Sequence, residues 1–152
     1  MSDAPVRLES ITEHNVRAVF DLAVAPGQEE FVAPNAWSLA QAVAEAAIAW
    51  PRAIVAGEEV VGFLMLEIDP DEGDGRPFWL WRLMIGGPWQ RRGYGTAALN
   101  LAFDEIRRRG GTEVYTSWVP HPDGPGAYYE RLGFEPTGEL DDGEIVARLR
   151  LT

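Results

Sequence analysis

Residues 78–96 join an apolar strand to a glycine-spaced basic turn and the start of a helix. The almost unbroken apolar run that begins at Phe78 is typical of a strand buried on both faces. Gly86-Gly87-Pro88 ends this run, and the segment from Gln90 to Thr96 then opens a long amphipathic helix. A buried strand that leads through a tight turn into a helix predicts a mixed α/β sheet.

The turn after this strand is suited to bind an anion. The first N–H groups of a helix have no partner within the helix and lie at the positive end of its dipole. Gly93 and Gly95 leave room for a diphosphate to approach the backbone, while Arg91 and Arg92 add positive charge. The spacing Q-x-x-G-x-G differs from a dinucleotide fingerprint and lacks the ending of a P-loop. Taken alone, this spacing also fits a strand-to-helix turn that binds no ligand and contains glycines only because it is tight.

A second motif near the C-terminus favours the anion-binding interpretation of the turn. Residues 127–134 read Ala-Tyr-Tyr-Glu-Arg-Leu-Gly-Phe, a short tyrosine-bearing helix that a glycine closes before the next strand. In this order, the two motifs resemble the GNAT family of N-acetyltransferases. The resemblance implies the GNAT fold, a central mixed, mostly antiparallel β-sheet flanked by helices, and acetyl-CoA as co-substrate without a metal. It also implies a splay between the strands at Leu80–Ile85 and Glu113–Trp118 that admits the pantetheine arm.

Length and composition limit the number of domains, the chemistry and the partners that can be expected of the chain. The 152 residues predict one domain over residues 1–152, and 46% apolar with 24% charged residues is an ordinary globular balance. No cysteine is present, which excludes disulfides and thiolate chemistry. The net charge of -11 disfavours nucleic acid and favours cationic small molecules or basic proteins. No apolar run is long enough to cross a membrane and the start lacks a signal peptide, so we expect a cytoplasmic protein that does not bind membranes.

The first half of the chain predicts one strand, two helices and a hairpin. Val6 to Leu8 with Ile11 suggests the strand, and a helix from Thr12 to Pro26 would bury Val16, Val19, Phe20 and Ala23. Ser38 with Gln41 forms a capping-box pattern for a second helix that Pro51 closes, with Leu39, Ala42, Val43 and Ala46 on its buried face. The hairpin joins residues 53–56 to residues 60–68 at Gly57.

The second half predicts the central strand, a helix, a strand, the tyrosine helix and two closing strands. The helix after the glycine turn has an apolar face of Leu99, Ala102, Phe103 and Ile106 and ends in Arg107 to Arg109, which suit the negative end of a helix dipole. The later strands are expected at residues 113–118, 134–137 and 144–151.

The resemblance assigns roles to particular residues. The N–H groups from Gln90 to Thr96 (Gln90, Arg91, Arg92, Gly93, Tyr94, Gly95 and Thr96) would hold the pyrophosphate, and the backbone of Leu83, Met84 and Ile85 would pair with pantetheine. Tyr129 aligns with the family tyrosine that protonates the coenzyme A thiolate, and Tyr128 is expected to be its packing neighbour. Related enzymes carry an asparagine about two turns ahead of this tyrosine, whereas here the region reads Pro122-Asp123-Gly124-Pro125-Gly126.

Acetyl transfer also needs a neutral amine. Deprotonating an alkyl ammonium with a pKa near 10.4 costs about 4.6 kcal/mol at pH 7, so a base must accept its proton. No histidine is suitably placed in the sequence, and Glu67, on the strand beside the central one, is the first candidate, acting directly or through water. The competing interpretation makes Glu67 an ordinary surface carboxylate.

The acceptor is the least defined part of the sequence. Residues 31–42, 81–85 and 134–139 resemble the bacterial diamine and spermine/spermidine acetyltransferases, which implies a polyamine held by Glu29, Glu30, Phe31 and Asn35. These residues also fit a loop whose Phe31 fills the core. Other acceptors, namely an aminoglycoside, an amino acid or a protein amine, remain open, as does a non-catalytic sensor of acetyl-CoA. Dimers are common in the family, although no stretch of this sequence predicts a homodimer.

Overall fold

The described part of the chain, residues 5–151 of the computed structural model, contains one seven-stranded sheet. Its strands are β1 (Val6–Ser10), β2 (Ala49–Ala56), β3 (Glu59–Ile68), β4 (Phe78–Ile85), β5 (Glu113–Trp118), β6 (Glu135–Asp141) and β7 (Glu144–Arg150). They lie in the order β1-β2-β3-β4-β5-β7-β6, and every neighbouring pair is antiparallel except β4 and β5. The prediction of a mixed, mostly antiparallel α/β sheet is confirmed.

Four α-helices flank the sheet in the predicted chain order. They are α1 (Val16–Asp21), α2 (Asn35–Ala44), α3 (Tyr94–Arg108) and α4 (Gly126–Arg131), and short 3-10 turns lie at Glu29–Phe31 and Gly87–Trp89. The helix α3 buries all four residues of its predicted apolar face. The predicted β2–β3 hairpin also forms, with residues 53–56 paired to the start of β3.

Both faces of the central sheet are covered. Successive side chains of a strand point to opposite faces, so Leu64 and Leu66 of β3 pack in the cluster beneath α3, whereas Phe63 and Met65 pack in a second cluster with Val19 of α1. All four of these β3 side chains have no exposed surface. This two-sided burial explains why the central strands read as continuous apolar runs.

The first two helices differ from the prediction. Helix α1 starts at Val16 and ends at Asp21 rather than spanning Thr12 to Pro26, and only Val19 of its predicted face is buried, while Val16 and Phe20 are 37% and 55% exposed. In α2, Val43 is 80% exposed, and the helix ends at Ala44, so that Pro51 lies in β2. Apolar residues at helical spacing need a neighbouring element to cover them, and none of the described elements covers these.

The predicted capping box of α2 is wrong. The helix begins at Asn35 with Pro34 as its N-cap, which places Ser38 inside the helix, where it is fully buried. The ring of Pro34 fixes its φ and leaves it without an N–H to satisfy, so it is tolerated immediately before the helix. Ser38 Oγ and Gln41 Oε1 instead accept hydrogen bonds from Arg82 on β4.

The parallel pair β4–β5 opens into a cleft. The two strands are paired only at Trp79 and Tyr115, and the Thr116 hydroxyl donates to the Leu80 carbonyl at 3.1 Å where they separate. A shift in register of the β3–β4 pairing also occurs next to this point, between Met65 and Leu66. Beyond it, the β4 edge that faces β5 has no strand partner among the described residues. The predicted splay is therefore present and starts at Leu80.

Candidate active site

An open cleft of about 1180 Å³ occupies the splay. Strand β4 and the first turn of α3 form one wall, and the end of β5 with α4 forms the opposite wall. A third side is formed by part of the connection between α1 and α2, namely Gln28 and residues 30–33. Parts of the chain that are distant in sequence thus meet around one opening, and most of the predicted site residues line it.

The glycine turn presents free backbone donors to this cleft. Gly93 adopts a left-handed φ of 82°, which is a conformation that glycine tolerates without strain. The Ala97 N–H donates to the Gly93 carbonyl at 3.0 Å, so the N–H groups of Tyr94, Gly95 and Thr96 precede the first helical hydrogen bond and have no partner within the helix. A Cβ placed on Gly93 would meet no atom within 4 Å, so the approach to these donors is open. This arrangement fits a diphosphate.

The side chains of the turn have different roles. Gln90 Nε2 donates to the Ile85 carbonyl at 2.9 Å and to Gln28 Oε1 at 2.8 Å, so this side chain braces the turn against β4 and the α1–α2 connection. Arg91 is exposed and lines the cleft with a positive φ of 65°, an uncommon conformation for a residue with a side chain. Arg92 is also exposed but does not line the cleft. The Tyr94 ring belongs to the core beneath α3.

The predicted pantetheine strand lies along the cleft. Leu83, Met84 and Ile85 line it and pair with β3 on their other edge. Their side chains contribute to the two cores, with Met84 only 5% exposed. The backbone edge that faces β5 is left for another extended chain to pair with.

Tyr129 is held in an aromatic stack at the wall of the cleft. Its ring stacks on Trp118 with centroids 5.7 Å apart and meets Phe134 edge-on at 5.6 Å. The residue is 8% exposed and lines the cleft. Burial, with a smaller contribution from Tyr128, raises the pKa of the Tyr129 hydroxyl above its ordinary value. The phenol therefore stays protonated at neutral pH.

Tyr128 does more than pack beside Tyr129. Its hydroxyl lies 3.0 Å from Thr96 Oγ1, within hydrogen-bonding distance, and this contact joins α4 to the first turn of α3. A side chain at Gly95 would place its Cβ 3.3 Å from the same hydroxyl. Burial raises the pKa of Tyr128, and the Thr96 contact acts in the opposite direction. No sequence pattern indicated this pairing, because the partners are 32 residues apart.

Glu67 lies in an acidic part of the cleft. Burial raises the pKa of its carboxyl, and the negative charges of Glu72 and Asp69 raise it further. Glu67, Glu72 and Asp74 all line the cleft, and we call these three residues the acidic end. Glu67 pairs with Trp79 at the start of β4, whereas the glycine turn follows the last residue of the same strand. At 3.3 Å per residue, the acidic end lies about 20 Å from the turn.

The predicted acceptor segment is only partly in the cleft. Glu30 and Phe31 line it, and the Phe31 ring contacts His121 of the β5–α4 loop with centroids 5.2 Å apart. Glu29 does not line the cleft, and its Oε2 accepts a hydrogen bond from the Gly27 N–H. Asn35 is buried outside it and donates to the Val19 carbonyl at 2.8 Å. The geometry gives Asn35 a structural contact between α1 and α2 in place of the expected contact with substrate.

Arg82 is a cleft residue to which the sequence analysis assigned no role. Its guanidinium donates to Ser38 Oγ at 3.2 Å, to Gln41 Oε1 at 2.8 Å and to the Trp81 carbonyl at 2.9 Å. No carboxylate of the described residues lies within salt-bridge distance of it. Burial lowers its pKa, and the more distant negative charge of Glu144 acts in the opposite direction. Three of its five N–H donors are used, so two remain for a ligand.

Comparison with known proteins agrees with this geometry. The model of the acetyltransferase (GNAT) family matches residues 8–134, which is most of the chain. The protein belongs to the GNAT family. It is therefore an acyltransferase that takes an acetyl group from acetyl-CoA. No sequence among curated proteins matches the chain.

Solved structures of GNAT proteins share the fold at low sequence identity. The PaiA N-acetyltransferase from Thermoplasma acidophilum, solved with coenzyme A, has a TM-score of 0.72 at 14% identity, covering 95% of this chain and 98% of that one. An aminoglycoside 6'-N-acetyltransferase with coenzyme A has a TM-score of 0.72 at 18% identity, covering 96% and 97%. The ribosomal-protein-S18-alanine N-acetyltransferase from Escherichia coli has a TM-score of 0.69 at 19% identity, covering 97% and 94%.

The surroundings of this GNAT site offer no metal centre. Within residues 5–151, no three or more His, Asp and Glu side chains are grouped so that they would hold a metal ion. None of the described helices combines the length and the apolar composition that crossing a membrane requires.

Proposed function

We propose that this GNAT protein acetylates a primary amine, with Tyr129 as the general acid. The observation that carries the proposal is the Tyr129 side chain, whose ring is fixed by Trp118 and Phe134 in the wall of the cleft. Acetyl-CoA supplies an activated acetyl thioester. Tyr129 donates its proton to the sulfur as the carbon–sulfur bond breaks and the new amide bond forms. The phenol is protonated throughout the neutral pH range, as a general acid must be before it donates.

Two groups of backbone donors and acceptors, together with one arginine side chain, would hold acetyl-CoA. The free N–H groups of Tyr94, Gly95 and Thr96 suit the diphosphate, and Arg91 adds charge beside them. The open edge of β4 from Leu83 to Ile85 suits the amide groups of pantetheine. Arg92 lies outside the cleft, so its contribution is limited to a long-range charge.

The acceptor that we propose is a polyamine such as spermidine or spermine. The acidic end supplies carboxylates for its ammonium groups, and the aromatic residues Phe31, Trp79 and Trp81 supply apolar walls for its methylenes. Glu67 is the base of this proposal, because a carboxyl with a raised pKa is a better proton acceptor near neutral pH. Glu30 adds a further carboxylate from the α1–α2 connection.

Arg82 favours a second candidate, an amine that also carries a carboxylate, such as an amino acid. Its guanidinium is half-buried in the cleft without a carboxylate partner among the described residues, and a buried cation is stabilised by a counter-ion. An acceptor with a carboxylate would supply that counter-ion, whereas a polyamine would bring further positive charge. A cytoplasmic location and the absence of nucleic-acid and membrane partners remain predictions, and a homodimer is an expectation that rests on the family resemblance alone.

The experiment that tests the function follows the release of coenzyme A with a thiol-reactive dye. The chain has no cysteine, so the protein gives no background signal. We expect release with spermidine or spermine in a panel that also contains aminoglycosides and amino acids. Tyr129→Phe should lower turnover by roughly 10²- to 10⁴-fold, as for loss of a general acid, with little change in acetyl-CoA affinity.

Tyr115→Phe is the matched control, because the Tyr115 hydroxyl bonds Glu113 on β5 and does not line the cleft. Full turnover in Tyr129→Phe would overturn the assignment of the acid. Release with amino acids that Arg82→Gln abolishes, without release by polyamines, would replace the first acceptor by the second. Binding of acetyl-CoA without release by any acceptor would favour a sensor.

A further inference from the structure

The helix that carries Tyr129 is short and is held mainly by side chains. Helix α4 has only six residues, from Gly126 to Arg131, and it follows the proline- and glycine-rich loop after β5. A helix of this length is not stable by itself, so tertiary contacts must fix its position. On one side, the stack of Tyr129 on Trp118 ties it to β5. This stack lies on the β5 side and does not join α4 to the opposite wall of the cleft.

The hydrogen bond between Tyr128 and Thr96 is the contact that reaches the opposite wall. It joins α4 to the first turn of α3, and so it connects the two walls of the splay at the end that β4 and β5 leave open. The absence of a side chain at Gly95 leaves the space that the phenol occupies. The Tyr128 ring also meets the Tyr129 ring at a centroid distance of 5.4 Å and an angle of 63°. The two rings are therefore neighbours, and the place of one limits the place of the other.

We propose that Tyr128 is a positioning residue, which sets the place of the Tyr129 hydroxyl through its hydrogen bond to Thr96 on the diphosphate turn. The bond fixes the distance between the turn that holds the cofactor and the group that delivers the proton. Tyr128 itself transfers no proton. This inference rests on the proposed role of Tyr129 as general acid.

A mutant cycle on the two hydroxyls tests this role. Tyr128→Phe keeps the ring and removes the hydroxyl, Thr96→Val keeps the shape, and Thr96→Ser keeps the hydroxyl as a conservative variant. We expect Tyr128→Phe and Thr96→Val each to lower single-turnover release of coenzyme A by about 3- to 10-fold, the range for one neutral hydrogen bond. The double variant should be no slower than the slower single variant, and Thr96→Ser, which retains the hydroxyl, should recover most of the rate that Thr96→Val loses.

The affinity for acetyl-CoA distinguishes a positioning role of Tyr128 from a role in binding the cofactor. Calorimetry should give the same Kd for acetyl-CoA in wild type, Tyr128→Phe and Thr96→Val within about 2-fold, because the backbone donors of the turn are unchanged. Release is measured with the best acceptor of the panel, or with water as the acceptor if none is found. Unchanged release in Tyr128→Phe, additive losses in the double variant, or a weaker Kd with unchanged release would each overturn the proposal.

The outcome for Tyr129→Phe keeps the two proposals distinct. If that variant releases coenzyme A at the wild-type rate, then the assignment of the acid fails, and the positioning role fails with it. If Tyr129→Phe is slow and Tyr128→Phe is not, then the acid assignment stands and only the positioning role fails.

Discussion

Glu67 and Arg82 show how burial changes what a charged side chain can do. Both residues line the cleft and are only partly exposed. Burial disfavours the charged form of each side chain, so it raises the pKa of Glu67 and lowers the pKa of Arg82. For Glu67, neighbouring carboxylates act in the same direction, which makes it a better base. For Arg82, three hydrogen bonds to neutral oxygens hold the guanidinium in place without neutralising it.

The pH dependence of acetyl transfer tests Glu67. A base works only when deprotonated, so kcat/KM should fall as the pH drops through the raised pKa of Glu67, at a pH above the ordinary range of a glutamate. Glu67→Gln should lower kcat/KM by about 10²-fold at pH 7 and remove this limb of the profile.

Glu72→Gln is the matched variant of the same cluster. The negative charge of Glu72 raises the pKa of Glu67. In Glu72→Gln, the acidic fall in kcat/KM should therefore still occur, but at a lower pH than in the wild type. A profile that is unchanged in Glu67→Gln would show that another group, or water alone, accepts the proton.

At the scale of the elements, α4 depends on the absence of a side chain at its first residue. A Cβ at Gly126 would lie 2.7 Å from Trp118 Nε1, closer than real contacts allow. Trp118 in turn carries the stacked Tyr129 ring. The glycine is therefore required for close packing between α4 and the end of β5, and not for its own backbone conformation.

Gly126→Ala should displace Trp118 and with it Tyr129. Since a catalytic group that moves by about 1 Å loses up to 10²-fold in rate, we expect turnover to fall by about 10- to 100-fold. Steady-state release of coenzyme A and the melting temperature are the measurements. Gly73→Ala is the control, because Gly73 has open space around it and no left-handed φ. Wild-type turnover in Gly126→Ala would mean that the Trp118–Tyr129 stack does not position the acid.

At the scale of the whole molecule, the cleft is a gap in the sheet. Strands β4 and β5 pair at a single position, and the sheet continues through β7 and β6 on the far side. A ligand that lies between the two strands should therefore join two parts of the sheet that the chain itself leaves apart. Binding to the native state alone stabilises it by mass action.

Acetyl-CoA should raise the melting temperature. At 100 times its Kd, a ligand adds about 2.7 kcal/mol to the free energy of unfolding, which for a chain of this length corresponds to a rise of about 5–10 °C. Differential scanning fluorimetry with coenzyme A and with acetyl-CoA measures it. Gly95→Leu should lose the shift because its side chain would collide with Tyr128 and Ile85 at the cleft, whereas Gly73→Leu should keep it. No shift in the wild-type protein would contradict the assigned cofactor site.

The sequence alone predicted the parts of the fold that depend on local pattern. The periodicity of α3 and the β2–β3 hairpin were read correctly because each is defined by neighbours within a few turns or strands. The family motifs placed the glycine turn and Tyr129 on the cleft. Helix α1 is shorter than local pattern predicts. In α2, the helix begins directly after Pro34, so Ser38 lies inside it and not at its N-cap. Ser38 and Gln41 accept hydrogen bonds from Arg82 instead of forming a capping box.

Contacts between distant segments were decided only by the tertiary structure. The Thr96–Tyr128 hydrogen bond, the brace of Gln90 on Gln28 and the burial of Asn35 against Val19 each join residues far apart in the chain. A single sequence carries no distance information between such segments, so residue type and spacing do not distinguish a ligand contact from a contact within the protein. The packing of α1, α2 and α4 against the sheet makes that distinction, because it determines which polar groups are already paired and which remain open to a substrate.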